Sequence, residues 1–119
     1  MDAKPGNIRF VPGNSVDGNI VQVFHDGIWG TICDRPPYTN YLYTAAEAAC
    51  AILGYGSARI YKTIYRPNHY YGPPMLWNIT CNQNATTFEE CNSHGWNNVA
   101  PYCHKGRDQL FVHCNCKLN

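Results

Sequence analysis

With 119 residues, a formal charge of +1, 45% apolar and 13% aromatic side chains, the chain has room for one domain with a real core and too much apolar content for disorder. So small a net charge excludes attraction to nucleic acid or a membrane through a whole-molecule field, and any charged site has to be local. Insertion into a membrane is not expected either, since the longest apolar run, Ala48 to Leu53, falls far short of the roughly 18 residues a bilayer requires.

Taken in order, the chain opens on the polar Met1-Asp2-Ala3-Lys4-Pro5. These residues lack a signal-peptide pattern and read as the start of a piece cut from a longer secreted or membrane-anchored protein. Residues 7–116 are expected to form a single domain, with 1–6 and 117–119 as flexible ends. The segments Ile8 to Val11, Ile20 to Phe24 and Ile28 to Ile32 are rich in β-formers and are divided by Pro12-Gly13-Asn14 and Asp26-Gly27, so they are expected as strands. His25-Asp26-Gly27 between two such runs signals a hairpin.

The period then changes. Thr44 to Leu53 is Ala-rich, with Thr44 as N-cap, Glu47 as its capping-box partner and Gly54 as the stop, which predicts a helix. Ala46, Ala49, Cys50 and Leu53 fall on one face at three- and four-residue spacing and place Cys50 toward the core. Residues 58–74 are aromatic and basic, and Pro67, Pro73 and Pro74 argue for a long loop there. A short helical turn is expected within Thr86 to Cys91, and a last strand over Gln109 to Cys114.

Seven cysteines, Cys33, Cys50, Cys81, Cys91, Cys103, Cys114 and Cys116, say where such a chain resides. Cysteine-dense small domains persist in oxidising compartments, where disulfides supplement a modest core. The triplets Asn78-Ile79-Thr80 and Asn84-Ala85-Thr86 are N-glycosylation acceptors and point the same way. The chain therefore reads as extracellular, secreted or part of an ectodomain. An odd cysteine must stay free or pair outside the domain, and spacing alone leaves many pairings open.

Three signatures carry a family resemblance: Val23-Phe24-His25-Asp26-Gly27-Ile28-Trp29-Gly30-Thr31-Ile32-Cys33-Asp34, Ala45-Ala46-Glu47-Ala48-Ala49-Cys50-Ala51-Ile52-Leu53-Gly54-Tyr55, and Glu90-Cys91-Asn92-Ser93-His94-Gly95-Trp96. In order and spacing they resemble the scavenger receptor cysteine-rich (SRCR) domain, from about Ile8 to Cys114. Tyr55 stands where the eight-cysteine subgroup keeps a cysteine, so the chain resembles the six-cysteine group A. The resemblance implies an α+β fold, a curved antiparallel β-sheet cradling one main α-helix. It also implies pairing of Cys33 with Cys103, Cys50 with Cys114 and Cys81 with Cys91, which leaves Cys116 unpaired.

The family's cation site has carboxylates at positions that Asp34 and Asp108 match, with Asn78 nearby in the pattern. Calcium is thus the one candidate cofactor. Hard cations want several oxygen ligands, however, and Arg35 puts a positive charge beside Asp34. The two aspartates serve equally well as surface ion-pair partners of Arg35 or Arg107. A zinc alternative would draw on Cys103-His104 and His113-Cys114-Asn115-Cys116, although adjacent ligands suit tetrahedral zinc poorly. The histidines His25, His69, His94, His104 and His113 offer acid and base types without a positioned motif, so no enzyme activity is expected.

Binding is the function expected instead. From Arg59 to Tyr71 the chain sets Arg59, Lys62 and Arg66 among four tyrosines with no acidic residue. Tyr and Arg are the types enriched where interfaces gain their energy. Arg59, Lys62, Tyr65 and Arg66 are therefore the candidate ligand contacts, and the resemblance implies a protein or polyanionic ligand. The expected role is a non-catalytic recognition module in a multidomain parent, with a structural spacer as the alternative.

Overall fold

The structure is a computed structural model, and it describes residues 4, 6–14, 18–33, 45–64, 71–77, 79–91, 95–101, 103 and 109–116, with backbone alone at 14 and 60–64. Six strands, β1 (Ile8–Asn14), β2 (Gly18–His25), β3 (Ile28–Cys33), β4 (Ala58–Ile64), β5 (Pro74–Trp77) and β6 (Gln109–Cys114), form one sheet beside the helix α1 (Ala45–Ile52). The main path runs β1-β2-β3-β6-β4, and β2 also pairs with β6. These neighbours are antiparallel, while the short β5 lies parallel to β3. This is the α+β architecture expected, with one parallel strand added.

Local chemistry accounts for the elements. Asp26 and Gly27 hold φ of 52° and 76°, and His25 faces Ile28 across the turn. Two positive values in a two-residue loop match the right-handed twist of the strands they join. Pro12 sits in β1, an edge strand, where its missing N–H need not serve a second neighbour. The ordered frame takes in Gly6 as well, one residue before the expected boundary. Gly6 is buried, its N–H donates to the Phe24 carbonyl at 2.9 Å, and its carbonyl accepts from Phe88 N–H at 2.9 Å.

The segment read as a long loop opens instead as β4. The prolines that argued against a strand begin only at Pro67, whereas Ala58–Ile64 holds Ile60, Tyr61, Thr63 and Ile64, all β-formers. Its partner β6 aligns Tyr61 with Val112 and Thr63 with Leu110. Pro74 begins β5, a position that asks nothing of the missing N–H. Pairing with β6 fixes as a strand what so short a run of β-formers leaves open.

Helix α1 buries Ala45, Ala46, Ala48, Ala49 and Cys50, a broader face than the spacing suggested, because alanine lets neighbouring backbone approach from several sides. Its end is capped as expected. Gly54 adopts φ of 88°, Gly54 N–H donates to Ala51 O at 3.1 Å, and Tyr55 N–H donates to Cys50 O at 2.8 Å. That paired pattern is the left-handed glycine cap that satisfies the last carbonyls. The Glu47 carboxylate accepts from the backbone N–H of Ala58 at 3.2 Å, tying the helix to the head of β4. Thr44 lies outside the described residues.

The core gathers Ile8, Val21, Val23 and Ile32 of the sheet with the helix alanines, Met75, Leu76, Ile79, Phe88, Leu110 and Val112. Ile20 and Phe111, both fully buried, stand on the opposite sheet face, with Tyr71 edge-on to Phe111 at 6.2 Å. At the hairpin tip, His25 stacks flat on Trp96, with ring centres 4.0 Å apart. Disulfides join Cys33 to Cys103, Cys50 to Cys114 and Cys81 to Cys91, the three pairs implied by the resemblance. Cys116 is a free, exposed thiol.

Candidate recognition site

The site is built on the sheet face that carries Ile20 and Phe111, away from the helix. Alternation along β2 sets Ile20, Gln22 and Phe24 on that face. From β1, Arg9 stands opposite Gln22; from β3, Thr31 and Trp29 stand opposite Gln22 and Phe24. On the other side, Ile20 faces Phe111 of β6, and Phe111 faces Lys62 of β4.

The side chains form a bonded row. Arg9 Nε donates to Gln22 Oε1 at 2.7 Å, and Gln22 Nε2 donates to the Tyr71 carbonyl at 2.6 Å. The Arg9 guanidinium lies 4.1 Å from the centre of the Trp29 ring, which tilts against Phe24 at 5.1 Å. Cation–π stacking of this kind holds a charged head in place without neutralising it. Gln22 and Thr31 are buried polar residues, and Thr31 N–H donates to the Pro73 carbonyl at 2.8 Å. The stretch that follows the basic segment is in this way bonded down onto the sheet.

Of the expected ligand contacts, Arg59 is exposed near the start of β4. Lys62 occupies the register position opposite Phe111. Tyr65 and Arg66 lie outside the described residues. So do Asp34 and Asp108, the candidate calcium ligands; their sequence neighbours Cys33 and Gln109 are cross-strand partners. Among the described residues no group of three or more His, Cys, Asp or Glu could hold a metal ion. The zinc alternative is closed, because Cys103 and Cys114 are oxidised into disulfides and a zinc ligand must be thiolate.

Asn78 lies outside the described residues, whereas Asn84 is exposed on the loop closed by Cys81–Cys91. Its N–H donates to Asn82 Oδ1 at 2.8 Å. Downstream, Glu90 gathers the sequon's end: its carboxylate accepts from the backbone N–H groups of Thr86 and Thr87 and from Thr86 Oγ1. The Thr86 and then the Thr87 backbone bonds hold its carboxyl below the ordinary value of 4.5. Cys116 borders an open hollow of about 500 Å³ with Gly56, Ser57 and Asn115.

The family model of the scavenger receptor cysteine-rich domain matches residues 12–115. The chain belongs to this family. SRCR domains are extracellular modules, and this one carries the three disulfides such a compartment allows. Among the described residues no helix is long and apolar enough to cross a membrane.

Relatives agree with that assignment. Galectin-3-binding protein of Rattus norvegicus is 33% identical over 115 residues, covering 95% of this chain and 19% of its own length. Lysyl oxidase homolog 2 of Homo sapiens is 36% identical over 76 residues, covering 64% of this chain and 9% of its own. The chain thus spans less than a fifth of the length of these relatives. In three dimensions it superposes on the SRCR domain of mouse MARCO, solved in a dimeric form, with a TM-score of 0.60 and 21% identity over 96% of this chain and 94% of that one. At that identity the likeness is one of fold.

Reading the residues in sequence missed Arg9, Gln22 and Trp29 as members of one row. Half the signal was available. The Asp26-Gly27 turn sets Trp29 across from Phe24 and Thr31 across from Gln22, but nothing local sets the β1–β2 register across residues 15–17.

Proposed function

We propose that this SRCR domain is a non-catalytic recognition module for an anionic ligand, carried within a longer extracellular protein. The observation that carries the reading is the segment from Arg59 to Tyr71, with three fixed cations, four tyrosines and no acid. Its first residue, Arg59, is exposed, and its last, Tyr71, is bonded to Gln22 on the sheet. A chain of net charge +1 has no general attraction for anions, so such a patch acts at short range. The relatives' length supports a multidomain parent. Calcium has no part in this recognition, since Arg35 sets a positive charge next to Asp34 where the cation would need oxygen.

The test is heparin binding by the unaltered chain and by a variant with Arg59, Lys62 and Arg66 changed to Ser. Affinity should fall in the variant, and in the unaltered chain it should fade as ionic strength rises from about 0.05 M to about 0.5 M, because screening then acts within the dimensions of the patch. Adding calcium should leave both unchanged. Equal binding by a folded triple variant would remove the site from this segment.

A further inference from the structure

The loop closed by Cys81–Cys91 carries the exposed acceptor Asn84, and the fold acts on the whole of its triplet. Ser and Thr, the two residues accepted at the third position of Asn-X-Ser/Thr, share the β-hydroxyl, so a transferase has to read that hydroxyl together with the asparagine. Here the hydroxyl is taken. Thr86 Oγ1 lies 3.2 Å and 3.4 Å from the two carboxylate oxygens of Glu90 and donates its hydrogen to them. The same carboxylate accepts from the backbone N–H of Thr86 and, at 3.3 Å, from that of Thr87. Upstream, Asn84 N–H donates to Asn82 Oδ1 at 2.8 Å and Ala85 N–H to Asn82 O at 3.1 Å. The triplet is thus bent into a turn at one end and clamped at the other by charge-assisted bonds.

The clamp depends on tertiary structure. Glu90 closes the short helical turn Phe88–Glu90, and that turn is pinned from below: Phe88 is 2% exposed, and its N–H donates at 2.9 Å to the carbonyl of Gly6, near the other end of the chain. Cys91, which follows Glu90, is bonded to Cys81. In an open chain the Glu90–Thr86 bonds would have to be made against the full conformational entropy of the segment. Once Phe88 is seated, that entropy has already been lost in folding.

We infer that Glu90 is a fold-dependent lock on the modification of Asn84: the triplet is open to an oligosaccharyltransferase while the chain is unfolded and closed to it once Phe88 has docked and Cys81 has joined Cys91. In the transfer itself, Asn84 Nδ2 bonds to the anomeric carbon of a lipid-linked oligosaccharide and gives up one proton. The bond from that carbon to the pyrophosphate oxygen breaks, and the lipid pyrophosphate leaves with the electron pair. Chains that fold first stay bare at Asn84, so occupancy records which of the two events came first. The inference is independent of the reading of the basic segment.

For the test, the unaltered chain and Glu90→Ala, both made without glycans, are offered to a purified oligosaccharyltransferase and a lipid-linked oligosaccharide. Each is used folded and oxidised, then reduced and unfolded, and transfer is read by mass analysis of the peptide that holds Asn84. The reduced chains should accept glycan at equal rates. Oxidation should slow the unaltered chain, and oxidised Glu90→Ala should be roughly fivefold faster than it, the effect of losing one hydrogen bond to a charged group. Equal rates in the oxidised and reduced unaltered chain overturn the lock. Oxidised Glu90→Ala no faster than the oxidised unaltered chain overturns it too, because the turn alone then excludes the enzyme. A gain of the same size between the reduced chains makes the effect local and overturns its dependence on the fold. If Glu90→Ala lowers the thermal midpoint, Glu90→Asp, whose carboxylate is one methylene shorter and draws back from Thr86 Oγ1, decides by the same comparison.

Discussion

Cys50, buried in the helix, is bonded to Cys114 at the end of β6, 64 positions away. This bridge ties the helix to the last strand, while Cys33–Cys103, with a separation of 70, ties the end of β3 to the segment that precedes β6. Replacing both Cys50 and Cys114 by Ala should cost about 4 kcal/mol of stability through loop-closure entropy alone, against about 3 kcal/mol for the ten-residue Cys81–Cys91 loop. Urea titration of the two double variants checks the order, and equal midpoints would refute it.

Gly30 leaves no room for a side chain. A Cβ there would stand 2.4 Å from the Pro73 carbonyl oxygen and 2.6 Å from Met75 Cγ. The Met side chain can turn aside, but the carbonyl belongs to the backbone that receives Thr31 N–H. Gly30→Ala should therefore destabilise by about 3 kcal/mol, the upper end for overpacking, and a thermal midpoint within a degree of the unaltered chain would contradict this.

Glu90 makes part of the stability pH-dependent. Its carboxyl is held below 4.5 chiefly by the Thr86 backbone N–H, so the folded state prefers it ionised. A depressed folded value gives stability that is present above the unfolded value and lost as pH falls through the folded one. Glu90→Gln should melt earlier than the unaltered chain at pH 7, and the gap should close as pH drops below about 4.5. A gap that persists undiminished at pH 2.5 would assign the effect to packing.

Asn84 is the acceptor we expect to carry a glycan. It is exposed, on a loop outside the core, and a sugar there would meet solvent. Secretion from a eukaryotic host should give a mass increment that glycosidase removes and that Asn84→Gln lowers; unchanged mass in that variant would exclude the site.

Much of the fold could be read from the residues because it is written locally. The Asp26-Gly27 turn, the Gly54 cap, the alanine helix and the Glu90 turn each depend on neighbours within five positions. The strand β4 was missed because its evidence is tertiary: Ala58–Ile64 becomes a strand by pairing with β6, some 50 residues on. Likewise Arg59 and Lys62 were legible as a charged segment from neighbours in sequence, while the place of Arg9 against Gln22 and Trp29 was not. Its place depends on cross-strand register, on a buried glutamine and on a ring in a third strand.

Cys114 and Cys116 lie two residues apart, and only the first is bridged. A slip of two residues along a strand preserves which face each side chain occupies, so alternation by itself gives Cys50 no means of choosing between them. What discriminates is the ladder just beyond: Asn115 N–H donates to Ser57 O, Gly56 N–H donates to Asn115 O, and Asn115 Nδ2 donates to Ser57 Oγ. Oxidative folding of this domain is therefore a contest between two thiols, refereed by the strand register, and the correct isomer should form in high yield only when β4 and β6 have paired before Cys50 is oxidised.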